Sequence, residues 1–294
     1  MMLEQGTYLL AGVGFNLHNE PTITFQKGEE LIDIQPLGYT LRFTVDTTQR
    51  FCTGWRDLTT SERFVCPQKL TISGKFQQCS VCQNRTGFNP AFYNTVHISS
   101  QQEARNQEPH FVYLAYFGSF PLKVGISYAK RGISRLLEQG ARSALVLDTF
   151  PSATIARQYE AQIANLPNIG ETVHIRKKQQ LLQQPYDPEQ ADKILKATRD
   201  SIEQQFSVAF TRENEILSLD HYYFPNDKPL LEQALDCSEQ NALAGHVFGM
   251  LGSLIFCHYQ DETIYLPMKQ FVGHMITFSK EATLTLPTRQ ISLF

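Results

Sequence analysis

The chain has 294 residues, of which 42% are hydrophobic and 19% are charged, and its formal net charge is −3. This composition is typical of a folded globular protein with two or three domains, and it excludes a disordered chain. The N-terminus lacks the basic segment of a secretory signal, and the most apolar stretch, residues 247–257, is too short to span a bilayer. We therefore expect a cytoplasmic protein without a membrane segment.

Positive charge is concentrated in one part of the chain. Residues 110–180 contain nine Lys or Arg and four Asp or Glu, a balance of +5, so the remaining residues carry −8. A locally basic segment in an acidic protein is compatible with a phosphate-bearing partner such as DNA or RNA. A solvated basic helix face would give the same count.

The N-terminal region, residues 1–50, consists of short apolar runs with turn residues between them, such as "TITFQ" and "YTLRFTV". This pattern predicts a β-rich region.

The next segment, residues 51–104, contains four of the six cysteines in the order C-x13-C-x12-C-x2-C. These are Cys52, Cys66, Cys79 and Cys82. Clustered cysteines in a chain without a secretory signal indicate metal binding before disulfides, and four thiolates match tetrahedral Zn²⁺ with no open position. We predict a structural zinc module, with His97 as a spare ligand. Reduced or redox-active cysteines are the alternative.

Residues 105–170 predict the order strand, strand, helix, strand, helix. The first two strands, "HFVYLAYF" and "LKVGIS", contain Tyr113 and Lys123, and Gly125 leaves room for close approach of a backbone or a substrate. The following helix has Arg131 and Arg135 four residues apart on one face.

The second helix of this segment begins after Pro151, with Ser152 as its N-cap. Its Glu160 lies between Ala156 and Ala164, small residues that leave space around a carboxylate. A tyrosine, a lysine, two arginines and a glutamate suit phosphodiester hydrolysis. The carboxylate can hold a divalent metal, a phenol or metal-bound water can deliver the nucleophile, and a cation can neutralise the phosphate.

Each of these residues also has an ordinary structural explanation. Arg135 could pair with Glu138, and Glu160 could pair with Arg157 or Arg131, on a solvated surface. Only their combination and order favour a site.

This order of elements and residues resembles the GIY-YIG nuclease superfamily. Here "VYL" (112–114) corresponds to the first motif, "KVG" (123–125) to the second, Arg135 to the arginine of the first helix and Glu160 to the metal-binding glutamate. The longer pattern, with four cysteines before "H..YLA.FG....KVGIS", is also similar to a prokaryotic family described only as a domain of unknown function.

The resemblance implies a small domain with a three-stranded antiparallel sheet and helices. Together with the zinc-ribbon-like module and the β-rich terminal regions predicted from the residues, this gives an α+β fold. The resemblance also implies a metal-dependent endonuclease acting on DNA or RNA, with one Mg²⁺ or Mn²⁺ held by Glu160. Tyr113 would be the general base or would position the nucleophile. Arg135, or Arg131 in a looser register, would stabilise the scissile phosphate.

One residue departs from the superfamily pattern, because Lys123 replaces the tyrosine of the second motif. The lysine could bind phosphate, or assist proton transfer if its pKa is lowered. It could also mark a protein that binds nucleic acid without cleaving it. A protein-interaction scaffold, in which the zinc and the basic patch are structural, is a third hypothesis.

Further residues are candidates for binding the substrate backbone. They are Gly125, His110, Arg142, Lys177 and Lys178. The run that contains Lys177 and Lys178 could equally be a solvated linker.

The rest of the chain carries little chemistry. Residues 171–236 predict a helical region, in which Asp187 and Pro188 begin a long helix, and residues 237–294 predict a second β-rich region. The two β-rich ends could pack together.

Overall fold

A computed structural model describes residues 3–74, 76–89, 98–226 and 230–287. It has a mixed α+β fold with several sheets, as expected, and the chain divides into two compact units. The first unit combines Met1–Thr86 with Tyr223–Phe294, and the second is Gly87–Tyr222. Within the described ranges no helix is both long and apolar enough to cross a membrane. Strands and helices are numbered below in chain order.

The first unit is built on a nine-stranded sheet that joins the two β-rich ends of the chain. Its strands are β1 (Gly6–Phe15), β2 (Pro21–Lys27), β3 (Glu30–Ile34), β4 (Thr40–Asp46), β12 (Leu235–Asp236), β13 (Ala242–Leu251), β14 (Leu254–Tyr259), β15 (Glu262–Pro267) and β16 (Met275–Phe278). They follow the spatial order β12-β15-β14-β13-β4-β16-β1-β2-β3. All neighbours are antiparallel except β12 and β15.

The core of this sheet explains why the two ends come together. Buried and exposed residues alternate along β4, so that Phe43 is buried while Thr44 is exposed. Phe278 of β16 packs against Phe43 of β4 and against Tyr8 and Phe25 of the N-terminal strands. Strands from the two ends are neighbours in the sheet, and their apolar side chains form one buried cluster.

The remaining described elements of the first unit are small. The strands β5 (Trp55–Arg56) and β6 (Arg63–Phe64) form a separate two-stranded ladder, and α1 is Ser80–Thr86.

The second unit contains a five-stranded sheet and most of the helices. The strands are β7 (His110–Tyr116), β8 (Leu122–Tyr128), β9 (Ser143–Phe150), β10 (Ile169–Gly170) and β11 (Ile216–Ser218), in the order β10-β8-β7-β9-β11. The helices are α2 (Ser100–Asn106), α3 (Ser134–Gln139), α4 (Ala153–Ile163), α5 (Ile175–Leu182) and α6 (Pro188–Phe206), with α7 (Asp220–Tyr223) at the boundary between units. A short 3₁₀ turn, Ala129–Arg131, precedes α3.

The sheet of the second unit is larger than the predicted three strands. The antiparallel group β8-β7-β9 is present, and two short edge strands extend it. Of these, β10 runs parallel to β8 and β11 runs antiparallel to β9. Strands of two or three residues have no detectable alternation, so the sequence pattern did not predict them.

The unit boundaries also differ from the predicted segments. Residues 171–222 belong with the sheet because α6 packs Ala191, Leu195 and Ile202 into its core. The division after Thr86 falls inside the segment 51–104 that we assigned to the zinc module.

The helix ends follow local signals in the sequence. Gly140 ends α3 in the left-handed conformation with φ of 71°, and the Ser152 hydroxyl accepts a hydrogen bond from the backbone N–H of Ile155 at the start of α4. Asp187 begins α6, and its Oδ1 accepts hydrogen bonds from the backbone N–H groups of Glu189 and Gln190 at 2.9 and 3.2 Å.

We predict that Asp187→Ala lowers the free energy of unfolding by about 1 kcal/mol, because the first turn of α6 loses its capping acceptor. Urea unfolding followed by circular dichroism measures the change. Asp200→Ala, which removes an exposed carboxylate from the same helix, is the control. Equal stability of the two variants would contradict a capping role for Asp187.

Candidate functional site

The candidate site in the second unit is organised around Tyr113 on the central strand β7. Its side chain is 1% exposed, and its backbone lies opposite Gly125 on β8. A Cβ atom on Gly125 would lie 2.4 Å from the Tyr113 hydroxyl. The room that glycine leaves on this face of the sheet is therefore filled by the phenol of Tyr113, and the close approach predicted at Gly125 is made by the protein itself.

The Tyr113 hydroxyl accepts a hydrogen bond from Nε2 of Gln139, at the C-terminal end of α3, at 2.7 Å. Burial raises the pKa of Tyr113 to about 12, although the positive charge of Arg135 acts in the opposite direction. Tyr113 is consequently a neutral phenol at neutral pH. The Oε1 atom of Gln139 is buried and has no hydrogen-bond partner within the described ranges.

Glu160 lies on α4 beside this group and is 6% exposed. Its Oε2 accepts a hydrogen bond from Nη1 of Arg157 at 2.5 Å, and Nη2 of Arg157 lies 2.9 Å from both carboxylate oxygens of Glu171. Burial raises the pKa of Glu160, whereas Arg157 and Lys123 act to lower it. One arginine thus holds two carboxylates at the edge of the site.

Lys123 on β8 is partly buried near the same carboxylate. Its Nζ donates hydrogen bonds to the backbone oxygens of Val124, at 3.2 Å, and of Glu171. Burial lowers the pKa of Lys123, and the negative charge of Glu160 opposes this change. Since carbonyl acceptors favour the ammonium form, Lys123 serves as a cation beside Glu160.

The two arginines that sequence patterns left as alternatives have different surroundings. Nη2 of Arg131 contacts Oε1 of Glu138 at 2.6 Å. Arg135 lies 3.7 Å from the other carboxylate oxygen of Glu138, and 44% of its side chain is exposed. The charge of Arg135 acts on both Tyr113 and Lys123, so Arg135 is the arginine that lies next to the site.

His110 and Arg142, which were predicted to bind substrate, are engaged elsewhere in the second unit. His110 is buried, and its Nδ1 lies 2.8 Å from the backbone oxygen of Glu108. Arg142 contacts the carboxylate of Asp220 and lies over the ring of Tyr186 at 3.7 Å. Both side chains therefore have contacts within the second unit, and substrate binding by them stays a prediction.

The two lysines of the basic run differ from one another. Lys178 donates a hydrogen bond from Nζ to the backbone oxygen of Gln139 at 2.6 Å, so it supports the residue that contacts Tyr113. Lys177 is exposed on α5.

Sequence patterns missed two residues of this site, Glu171 and Gln139, and gave a third, Arg157, only a structural role. Glu171 and Gln139 come close to the other residues of the site only in the folded chain, so no local sequence pattern identifies them. Arg157 had a signal, because its spacing of three from Glu160 on one helix allows an ion pair. The ion pair of Arg157 and Glu160, which is the ordinary structural explanation for Glu160, is present in the structure.

The four clustered cysteines form a second candidate site, in the first unit. Their Sγ atoms all lie within 4.8 Å of one another, and those of Cys66 and Cys79 are 3.9 Å apart. A tetrahedron with Zn–S bonds of about 2.3 Å requires S–S distances of about 3.8 Å. All four side chains are buried, so the cluster can hold a metal ion such as zinc.

The local structure brings the four thiols together from separate segments. Cys52 follows a bridge between Phe51 and Thr71, and Cys82 lies on α1. Burial raises the pKa of Cys52, and the backbone N–H of Cys79, which donates to Sγ of Cys52 at 3.1 Å, acts in the opposite direction. The spare ligand that we predicted, His97, lies outside the described residues.

Comparison with known proteins gives one match. A family model described as "Protein of unknown function (DUF2797)" matches residues 38–276. The chain belongs to this family. The matched range contains the four cysteines and every residue of the site around Tyr113 in this DUF2797 protein. No curated protein and no solved structure matches the chain.

We predict that the purified protein holds about one zinc ion per chain, because four thiolates complete a structural site. Cys82→Ser should lose most of this zinc and unfold at a lower temperature, since metal binding contributes to folding. Metal analysis and thermal unfolding measure both effects. Cys237→Ser, which alters a buried thiol outside the cluster, should retain the zinc. Full zinc in Cys82→Ser would contradict this metal site.

A second prediction concerns alkaline pH. The pKa of Tyr113 is raised to about 12, above the unfolded value of about 10, so the unfolded chain loses this proton first. The contribution of Tyr113 to stability is complete below pH 10 and is lost as the pH rises toward 12. Tyr113→Phe should therefore lose less stability than the wild type over this interval, measured by denaturant unfolding at several pH values. Identical losses would contradict a buried neutral phenol.

Proposed function

We propose that this protein is a metal-dependent endonuclease that hydrolyses phosphodiester bonds of DNA or RNA at the site around Tyr113. The observation that carries the proposal is the grouping of Tyr113, Lys123, Arg135 and Glu160. The charges of Arg135 and Glu160 act on the pKa of both Tyr113 and Lys123, and Lys123 acts on the pKa of Glu160. The order of these residues along the chain is the order by which it resembles the GIY-YIG nucleases.

Glu160 is the carboxylate beside Tyr113 that could bind a divalent ion. Within the described ranges the four cysteines are the only group of three or more metal-binding side chains, so a Mg²⁺ or Mn²⁺ ion at Glu160 would take most of its ligands from water and substrate. Mg²⁺ commonly binds through one or two carboxylates and completes its shell with water and substrate phosphate. When bound, such an ion would polarise the phosphate and lower the pKa of an attacking water.

The side chains of the protein would perform the remaining steps. The phenol of Tyr113 keeps its proton at neutral pH and can donate a hydrogen bond. It is therefore better suited to positioning the nucleophile than to removing a proton from the nucleophile. The Nε2 atom of Gln139 holds that phenol in place through its hydrogen bond of 2.7 Å. Arg135 and Lys123 supply positive charge for the phosphate as negative charge develops on it.

A second candidate function is binding of nucleic acid without cleavage. Arg157 favours it, because this guanidinium already occupies Oε2 of Glu160. Lys123 favours it as well, because it replaces the tyrosine of the second motif with a cation. A site of this kind binds a phosphate backbone through Arg135 and Lys123, and its affinity falls as salt concentration rises.

We predict that the wild type cleaves plasmid DNA, single-stranded DNA or structured RNA with added Mg²⁺ or Mn²⁺. Glu160→Gln and Arg135→Gln should each slow cleavage at least about a hundredfold, the usual cost of removing one charge that stabilises a transition state. Gel-based cleavage rates measure the effect.

The matched controls for this experiment are Glu103→Gln and Arg212→Gln, which remove exposed charges of the same types elsewhere in the second unit. Both should cleave at the wild-type rate. Cleavage that persists in Glu160→Gln would rule out the proposed site. Salt-dependent binding without cleavage under any metal would establish the second candidate function.

A further inference from the structure

The first unit contains a cavity of about 540 Å³ beside the cysteine cluster. One wall is formed by residues 11–13 of β1, and another by residues 53–56, 76–78 and 83, which adjoin Cys52, Cys79 and Cys82 in the chain. Its size is within the range of small-molecule and nucleotide pockets. No residue of the site around Tyr113 lines this cavity.

The charged residues that line the cavity are all positive. They are Arg56, Arg63 and Lys269, and the described lining contains no carboxylate. Arg63 and Lys269 form no salt bridge within the described ranges. A cavity lined by cations and without a carboxylate is suited to an anion.

The local backbone holds Arg63 in place. A Cβ atom on Gly12 would lie 2.3 Å from Nη1 of Arg63, so glycine at this position gives the guanidinium its space. The same Nη1 donates to Oγ1 of Thr24 at 3.0 Å, and Thr24 donates to Asp33 at 2.6 Å. The register of β1 and β2 shifts between Leu10 and Gly12, and such bulges are frequent beside binding sites.

Aromatic rings and amides line the same cavity. Trp55 stacks on Phe64 with a centroid distance of 4.2 Å and an interplanar angle of 13°, and Phe76 is 66% exposed. The side chains of Gln77, Gln78 and Gln83 also line it. Cations that bind phosphate, together with rings on which a base can stack, are the features by which proteins bind single-stranded nucleic acid.

We propose that this cavity binds a nucleotide unit, with the phosphate at Arg63 and Lys269 and the base stacked on Phe76. The shared ligand chemistry is a phosphate joined to a planar base, supplied by a single nucleic-acid strand or by a free nucleotide. The proposal is independent of hydrolysis in the second unit, because it requires no residue of that site.

The test uses the full-length protein without added Mg²⁺ or Mn²⁺. Fluorescence anisotropy measures binding of a labelled oligothymidine of about ten nucleotides, within the usual site size of one binding groove. Calorimetry measures binding of thymidine monophosphate and of inorganic phosphate. Phe76→Ala should weaken oligothymidine binding about tenfold, as expected for loss of one stacking ring. Lys269→Gln should reduce the slope of log affinity against log salt by about 0.7.

Gly12→Ala provides a variant that keeps every charge of the cavity. Its new methyl group displaces the Arg63 guanidinium, so phosphate affinity should fall as it does when a cation is removed. Phe88→Ala and Lys280→Gln, which change exposed residues of the same types outside the cavity, should bind as the wild type does.

Binding of oligothymidine but not of the mononucleotide would support a nucleic-acid strand as the ligand. Binding of both, weakened by the cavity variants, would support a site for a single nucleotide. Wild-type affinity in Phe76→Ala, Lys269→Gln and Gly12→Ala, or no binding of any probe, would overturn the proposal. A further outcome separates the two proposals. If Phe76→Ala weakens binding and the wild type never cleaves nucleic acid, hydrolysis is overturned and this site is supported.

Discussion

The side chain of Glu160 is buried on α4. The arrangement of the candidate site in the second unit depends on the cations that neutralise this carboxylate. A carboxylate removed from water requires nearby cations or hydrogen-bond donors, or its proton returns. Arg157 supplies a direct contact, and Lys123 supplies a second charge from the neighbouring strand. Arg157 also contacts Glu171, whose backbone oxygen accepts a hydrogen bond from Lys123. Helix α4, strand β8 and the segment at residue 171 are thereby held together by one small network of charges.

The same network determines which chemistry is available. Arg157 stabilises Glu160 and occupies one of its oxygens, so a divalent ion at Glu160 must share the carboxylate with a guanidinium. Lys123 adds positive charge where the resembled nucleases have a second tyrosine. Both features increase the attraction for a phosphate backbone. Metal-dependent hydrolysis additionally requires that Glu160 binds a metal ion while it contacts Arg157. Binding and cleavage are therefore separable properties of this site.

The two units relate to function in different ways. In the second unit, the candidate chemistry lies on the sheet and on two helices that pack against it. In the first unit, residues next to the clustered cysteines in the chain line a cationic cavity. A structural metal site would hold these residues in place without taking part in a reaction.

Local features of this protein could be predicted from its sequence, and pairings between distant segments could not. The cysteine spacing, the caps at Gly140, Ser152 and Asp187, and the order of β7, β8, α3, β9 and α4 each follow from residues near one another in the chain. Gln139 and Glu171 reach the site only through packing. The role of Gly125 differs from our expectation because the residue that needs its space, Tyr113, lies on another strand. The edge strands β10 and β11 are too short to have a pattern.

Binding of Mn²⁺ to the zinc-loaded protein, followed by electron paramagnetic resonance, tests the central proposal most directly. The signal of free Mn²⁺ should fall when the wild type and a single-stranded oligonucleotide are present. It should remain high when Glu160→Gln replaces the wild type, because that variant lacks the carboxylate ligand. An equal signal with the two proteins would show that Glu160 holds no divalent ion and would contradict metal-dependent hydrolysis at this site.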